Sequence, residues 1–496
     1  MRESGILLPI SSLPSQYGIG CFSKEAYEFV DQLALANQKY WQILPLGPTS
    51  YGDSPYQSFS TYAGNPYFID LNTLIEEGVL TKKECDLADF GSDSRFIDYG
   101  KLYKARYKLL RKAYERSNIS KNPEFQTFQE ENAWWLDDYA LFMAVKGFFQ
   151  DECWDKWPED IKKRYGYALD YYREQLYFEI EFQKYMQFEF SIQWKKLKAY
   201  ANENGIRIIG DIPIYVAYDS ADTWAHPELF QLDEENVPLA VAGCPPDGFA
   251  ADGQLWGNPL YRWDYHRQTG YAWWMQRLSY AFYLYDVVRI DHFRGFDEYF
   301  SIPYGDTTAR NGHWEKGPGI ELFHRMKEVL GERDVIAEDL GYVTDSVRQM
   351  VFESGFPGMK VFEFAFDSRD TGCAGDYLPH NYPVNSVVYT GTHDNATLIG
   401  WYQDIPKEGR EMLRDYIHDY ITSDRSLHWS VICRVMGSPA RICMIPMQDY
   451  LGLDNTCRIN TPSTLGTNWK WRLLDGEFTL DLQNKIKKLV RIYQRN

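Results

Sequence analysis

Short apolar runs recur along the chain, each followed by a stretch with helical periodicity. The runs are residues 40–46 (YWQILPL), 66–71 (PYFIDL), 206–216 (IRIIGDIPIYV), 287–291 (VVRID), 335–338 (VIAE), 359–365 (MKVFEFA), 387–392 (VVYTGT) and 441–447 (RICMIPM). They are rich in Val and Ile and mostly continuous rather than alternating, as strands buried on both faces are. Between them, Ser23 can cap a helix running through Leu33, and apolar-periodic stretches end at Gly205 and Gly331 shortly before the next strand.

Eight strands alternating with helices predict an α/β fold, a (β/α)₈ TIM barrel, over an antiparallel sandwich. A doubly wound sheet is the other parallel solution. Its phosphate-binding turn after the first strand would be Gly-rich, whereas residues 47–52 read GPTSYG, without GxGxxG or GxxxxGK[ST]. The gap 72–205 is too long for a bare loop. Residues 101–117 are amphipathic and 131–149 (ENAWWLDDYALFMAVKGFF) heavily apolar. The expected organisation is a barrel from 1–71 and 196–496, with 72–195 an inserted, mainly helical subdomain. Within the barrel, 217–271 is rich in Gly, Pro and Trp and is expected to be an ordered loop region over the barrel mouth.

Composition narrows the function. The 52 basic and 70 acidic residues give a net charge of −18, which argues against nucleic acid or an anionic membrane as partner and fits a neutral substrate. No apolar run is long enough to span a bilayer, and the first nine residues hold no signal-peptide core. The cysteines at 21, 85, 153, 244, 373, 433, 443 and 457 are scattered with no CxxC pair, so they read as reduced thiols of a cytoplasmic protein rather than disulfides or a zinc site. Aromatic content is high, with 16 Trp, 38 Tyr and 28 Phe. Large rings fill cores, and they also line clefts that take sugar rings; composition does not choose between the two.

Barrel enzymes react at the C-terminal ends of their strands. Those ends carry Asp211, then Arg289-Ile290-Asp291-His292, Glu338-Asp339, Thr392-His393-Asp394-Asn395, and Gln448-Asp449. A ring of carboxylates can bind Mg²⁺ or Ca²⁺, but an arginine within it and few histidines weigh against a metal. Two carboxyls about 5–5.5 Å apart can instead carry out glycosyl transfer with retention. Asp291 and Glu338, on adjacent strands about 4.7–4.9 Å apart, meet that spacing. Arg289 shares the strand face of Asp291 and favours its ionised form, as a nucleophile needs. Taken singly, each acid could equally cap a helix or pair with a buried arginine. Residues 51–67 (YGDSPYQSFSTYAGNPY) either seal the barrel top or touch substrate, and Trp256 either anchors its own loop or lines the cleft.

These strings resemble the 4-α-glucanotransferases called amylomaltases or disproportionating enzymes, relatives of the α-amylases. The resemblance runs almost end to end, through ISSLPSQYGIG, YWQILPLGPTSYGDSPYQSFSTYAGNPY, GDIPIYVAYDSADTW, GCPPDGFAADGQLWGNPLY, VRIDHFRGF, IAEDLG, YTGTHDN, MQDYLGL and RINTPST. It implies Asp291 as nucleophile, Glu338 as acid/base and Asp394 as the acid that grips sugar hydroxyls. It implies Arg289, His292 and His393 as donors to the transferred glucose, Asp211 as their support, and Tyr56, Trp256 and Asn460 as lining of the glucan groove. It implies no cofactor and no metal. Amylases end the third-strand motif with His, where this chain continues Pro213-Ile-Tyr-Val-Ala217; about 50 residues follow the eighth strand, leaving no C-terminal β-domain.

The implied reaction transfers a segment of α-1,4-glucan, such as maltodextrin or a starch or glycogen fragment, to the 4-hydroxyl of glucose or another glucan. Hydrolysis of the same bond shares its covalent step. A non-catalytic glucan-binding barrel would not need a nucleophile beside a proton donor.

Overall fold

The computed structural model describes residues 2–50, 52–246, 251–341, 343–366 and 374–496. In chain order its strands are β1 (Glu3–Leu7), β2 (Tyr40–Gln42), β3 (Arg207–Ile212), β4 (Ala240–Cys244), β5 (Gln254–Pro259), β6 (Val287–Ile290), β7 (Glu298–Pro303), β8 (His313–Lys316), β9 (Val335–Ala337), β10 (Gly358–Val361), β11 (Ser386–Tyr389) and β12 (Ile442–Pro446). Eight of them close a parallel barrel in the order β1-β12-β11-β10-β9-β6-β3-β2. This is the expected (β/α)₈ architecture, with helices between its strands.

Alternation along each strand sorts residues into two packed layers. Leu7, Ile209, Val287, Ile336, Met359, Val387, Tyr389, Ile442 and Met444 share one buried cluster, the barrel interior. Their neighbours Ile6, Ile208, Val288, Ala337, Val388 and Cys443 belong to a larger cluster with the surrounding helices. Strand parity therefore decides which polar residues can enter the barrel mouth. Arg289 and Asp291 have the parity of Val287, Asp211 that of Ile209, and Glu338 that of Ile336, so all four lie over the inner core.

One expected strand is absent, and one barrel strand lies outside the expected runs. Residues 66–71 are not a strand: Pro66–Phe68 is a 3₁₀ turn and Leu71–Glu76 an α-helix. Asn65 accepts from the Tyr67 N–H at 3.0 Å, and Asp70 caps the helix through the Asn72 and Thr73 N–H groups at 3.2 and 3.0 Å. An Asx cap followed by proline starts helical turns, and it overrides the apolar run. The missing strand is β1, which pairs with β12 and β2. Its Gly5 hides the strand pattern, yet an added Cβ there would stand 2.5 Å from the Tyr40 carbonyl oxygen.

The segment between β2 and β3 holds long helices at Tyr99–Ser117, Pro123–Phe148 and Tyr177–Glu203. The last runs unbroken through residues 195 and 196, where the expected subdomain would end. Its Trp194, Leu197 and Ala201 join the main core. Gln187 anchors it to the loop after β2, accepting from Gly64 N–H at 2.7 Å and donating to Gly64 O at 2.9 Å. Trp135, Tyr139, Phe142, Trp154 and Trp157 build a separate apolar cluster that also takes in Trp224.

Region 217–271 is not simply loop. It contains helices at Ala221–Ala225 and Trp263–Gln268 and the strands β4 and β5. These pair with β7 and β8 in a four-stranded antiparallel sheet, β5-β4-β7-β8. The sheet thus draws on the segments after two different barrel strands, β3 and β6. Residues 247–250 of the cleft string, Tyr51 and Cys373 lie outside the described residues.

Gly210, beside Asp211 on β3, is packed against Tyr285 so closely that a Cβ would lie 2.1 Å from its ring. Gly210→Ala is expected to destabilise the protein by about 1–3 kcal/mol through overpacking, read as a lower urea midpoint at unchanged m-value.

Candidate active site

Register carries the acids to neighbouring places on the rim. Ile212 pairs with Ile290 and Ile290 with Ala337. Asp291 and Glu338 are the next residue on each strand. Their backbones continue the ladder: Asp291 N–H donates to Ile212 O at 3.0 Å and Glu338 N–H to Ile290 O at 3.1 Å. The chain then turns sharply. His292 sits in the left-handed region at φ 52°, ψ 48°, a conformation that costs a side-chain-bearing residue about 1–2 kcal/mol. The turn aims the His292 N–H at one Glu338 carboxyl oxygen at 2.7 Å, while Leu340 N–H reaches the other at 3.1 Å.

Beneath the acids lies one buried cation. The Arg289 side chain is 4% exposed, and its Nη1 stands 2.7 Å from Asp211 Oδ2 and 3.1 Å from Asp291 Oδ1. The Asp211 side chain is fully buried, and the Tyr56 hydroxyl donates to the same oxygen at 2.8 Å. Tyr56 in turn stacks on the His393 ring, with centroids 5.2 Å apart and planes 14° apart. Tyr56 is therefore part of the wall that joins Asp211 to His393, as well as a residue of the loop after β2.

Asp394 follows β11 on a loop tied by its own side chains. Asn395 Oδ1 accepts from the Thr392 N–H and hydroxyl at 2.9 and 2.8 Å, and Thr392 Oγ1 accepts from Asp394 N–H at 3.2 Å. Asn460 donates to Asp394 Oδ1 at 2.6 Å, and His393 Nε2 lies 3.3 Å from Asp394 Oδ2. Trp256, on β5, meets His292 edge to face at 4.9 Å, and its indole N–H bonds Gln254 at 3.0 Å. The bond to Gln254 ties Trp256 to its own strand, and the ring contact sets it against His292.

The surroundings set the protonation of the three acids apart. Burial pushes Glu338 up to about 8; Arg289 opposes this, Asp291 adds to it, and the His292 and Leu340 N–H groups oppose it. Burial also raises Asp291, to about 6, with Arg289 opposing and Asp211 and Asp394 adding. Arg289 thus restrains Asp291 without overcoming its desolvation. For Asp394 burial is outweighed by His393, Asn460 and Arg289, which hold the carboxyl well below the usual range. Burial, with the nearby Arg294, lowers His292 to about 3, so the ring is neutral at physiological pH.

All ten residues singled out from the sequence (Tyr56, Asp211, Trp256, Arg289, Asp291, His292, Glu338, His393, Asp394 and Asn460) connect through this rim network. Two partners escaped the sequence reading. Arg458 donates to the Asp394 backbone oxygen and, at 2.6 Å, to Asn460 O. Trp469 packs 5.9 Å from Tyr56 and 6.0 Å from His393. Arg458 opens the RINTPST string, so the signal was present; Trp469 lies in a loop with no strand parity to flag it.

The family model described as 4-alpha-glucanotransferase matches residues 8–477. The chain belongs to the 4-alpha-glucanotransferase family. It is 50% identical to the 4-alpha-glucanotransferase of Clostridium butyricum over 488 residues, covering 98% of this chain and 99% of that one. It is 45% identical to the enzyme of Thermus thermophilus, covering 100% of this chain and 99% of that one. Among solved structures, an amylomaltase from Streptococcus agalactiae in complex with acarbose superposes with a TM-score of 0.96 at 41% identity, each chain fully covered. An amylomaltase from Corynebacterium glutamicum, 19% identical, shares the fold at a TM-score of 0.74, covering 100% of this chain and 75% of that one. Like its family, this chain is an enzyme of glucan transfer.

Removing the central cation strands the Asp211 carboxylate. Arg289→Met is expected to cost about 3–5 kcal/mol of stability. Adding Asp211→Asn should recover part of that loss, because the two sites are coupled. Urea unfolding of the two single variants and the double variant measures this; simple additivity would contradict a direct pairing.

Proposed function

We propose that this enzyme transfers a segment of α-1,4-glucan to the 4-hydroxyl of glucose or another glucan through a covalent glucosyl-enzyme on Asp291, with Glu338 as acid/base. One observation carries the reading. Strand register puts Asp291 and Glu338 at equivalent positions on adjacent strands about 4.7–4.9 Å apart, near the separation that retaining glycosyl transfer uses.

The steps follow from the environments. Asp291, the less raised of the two acids, attacks the anomeric carbon as the carboxylate. Glu338 enters protonated and gives its proton to the departing 4-oxygen. The backbone N–H groups of His292 and Leu340 fix the plane of the Glu338 carboxyl, so it meets the leaving oxygen in one orientation. After departure, Glu338 is the base that takes a proton from the acceptor's 4-hydroxyl, which attacks the glucosyl carbon and frees Asp291. Asp394, ionised throughout, binds hydroxyls of the same glucose and steadies positive charge on the ring carbon. Arg289, His292 and His393 supply donors around that glucose, with Asp211 holding Arg289. Tyr56, Trp256 and Asn460 line the groove beside it.

The donor and acceptor we assign are maltooligosaccharides and glucose, in line with the family and with the acarbose that the Streptococcus agalactiae relative binds. None of the described helices is long and apolar enough to cross a membrane, and Cys21, Cys85, Cys153, Cys433, Cys443 and Cys457 are free. Free thiols support the reduced, cytoplasmic setting we assign to the enzyme.

Maltotriose as sole substrate tests the reaction. Glucose together with maltodextrins longer than maltotriose is the expected outcome; glucose and maltose without longer chains would make the protein a hydrolase, and no turnover would leave a binder. Asp291→Asn is expected to lower kcat by about a thousandfold or more while the fold is kept. Rate against pH should be bell-shaped. As pH falls through about 6, Asp291 takes up a proton and ceases to be a nucleophile; as pH rises through about 8, Glu338 loses the proton it must donate. A rate that kept climbing above pH 9 would contradict the acid role of Glu338.

A further inference from the structure

Asp449 lies just past β12, and sequence places it with the rim acids. The structure turns it away from them. It is 1% exposed, in the helix Met447–Leu451, and its carboxylate faces the loop that carries His393 and Asp394. Oδ1 accepts from the Leu398 N–H at 2.7 Å, and Oδ2 accepts from the Thr390 hydroxyl. Thr390 is the residue after β11, where the loop leaves the barrel. Leu398 is the first residue of the helix Leu398–Asp404, where the loop ends. A single carboxylate therefore ties both ends of the nine-residue stretch Thr390–Leu398, whose middle residue is Asp394.

None of the ion pairs among the described residues involves Asp449, and burial pushes its carboxyl up to about 6 against those two hydrogen bonds. A carboxylate kept in the interior without a cation is costly unless its hydrogen bonds are needed. The loop's other ties each hold a single place: Asn460 N–H donates to His393 O at 3.1 Å and Arg458 to Asp394 O near the middle, and Thr397 N–H to Asn455 Oδ1 at 3.1 Å at one stem. None of these three spans the loop, whereas Asp449 holds both ends at once.

We infer that Asp449 is a positioning residue for Asp394: it clamps Thr390 to Leu398 and so sets where the Asp394 carboxylate meets the reacting glucose. This rests on the role given to Asp394 above. Displacing a transition-state contact by about 1 Å can cost on the order of a hundredfold in rate.

The test compares Asp449→Ala with Asp449→Asn, measuring kcat and KM on maltotriose, thermal midpoint, and amide hydrogen exchange over residues 390–398. The asparagine amide can still accept from Leu398 N–H through its oxygen and donate to the Thr390 hydroxyl through its nitrogen. Asp449→Asn is thus expected within about threefold of the parent in kcat. Asp449→Ala should lose about 10–100-fold in kcat, with KM moving far less and exchange over 390–398 faster. A merely structural role would lower the thermal midpoint while leaving kcat per folded molecule alone. Folded Asp449→Ala with parental kcat, or with unchanged exchange over the loop, overturns the inference. Should Asp449→Ala fail to fold, Thr390→Val removes one arm of the clamp. A several-fold lower kcat is then expected, and parental kcat overturns the inference. Asp394→Asn separates the two levels: an active enzyme there removes the role of Asp394 and this inference with it. An inactive Asp394→Asn beside a parental Asp449→Ala removes only the inference.

Discussion

The Arg289 guanidinium, buried under the barrel mouth, is the constraint around which the site is arranged. Among the described residues it is the cation ion-paired with these acids, and it serves two at once, Asp211 on β3 and Asp291 past the end of β6. A lone buried carboxylate would be driven to its neutral form. With Arg289 present, the buried Asp211 has an ion-pair partner, Tyr56 bonds the same carboxyl oxygen, and Tyr56 becomes a flat support for the His393 ring. The chain of contacts runs from charge to hydroxyl to ring, and it carries the position of one strand end round the rim to another.

The same cation divides labour between acids it does not treat equally. Burial raises both Asp291 and Glu338, and Arg289 restrains both, but it touches only Asp291 directly. Glu338 faces backbone N–H groups and the negative charge of its neighbour. Two chemically similar side chains on adjacent strands therefore hold their protons differently, which is what a nucleophile beside a proton donor requires. His292 contributes through its backbone: a left-handed residue at this turn is a local cost, and it delivers an N–H to Glu338 that an extended backbone would direct elsewhere.

Much of this was readable in the chain because a barrel strand imposes a parity. Once Val287 or Ile336 is inward, Arg289, Asp291 and Glu338 must be inward too, and no tertiary information is needed to group them. What escaped the sequence has physical reasons. β1 contains Gly5, demanded by the close approach of Tyr40, so its apolar signature is diluted. Residues 66–71 have the apolar content of a strand, but Asn65-Pro66 and Asp70 supply helical starts, and local capping prevails. β7 pairs with β4, far off in sequence, and such non-local pairing leaves no periodic trace at one site. Asp449 is at a strand end like the others; only its burial and its two partners distinguish a tie within the fold from a group open to the cleft.

The small antiparallel sheet has a consequence for how this cleft can change. Trp256 stands against His292, but its strand is held in place by β4, and β4 is held by β7. The sheet beside His292 is therefore woven from two excursions that leave the barrel at different strands. Neither can be recut alone without leaving an open edge for the other. The strand that carries Trp256 is therefore coupled through β4 and β7 to the excursion after β6, so a change in one excursion bears on the other.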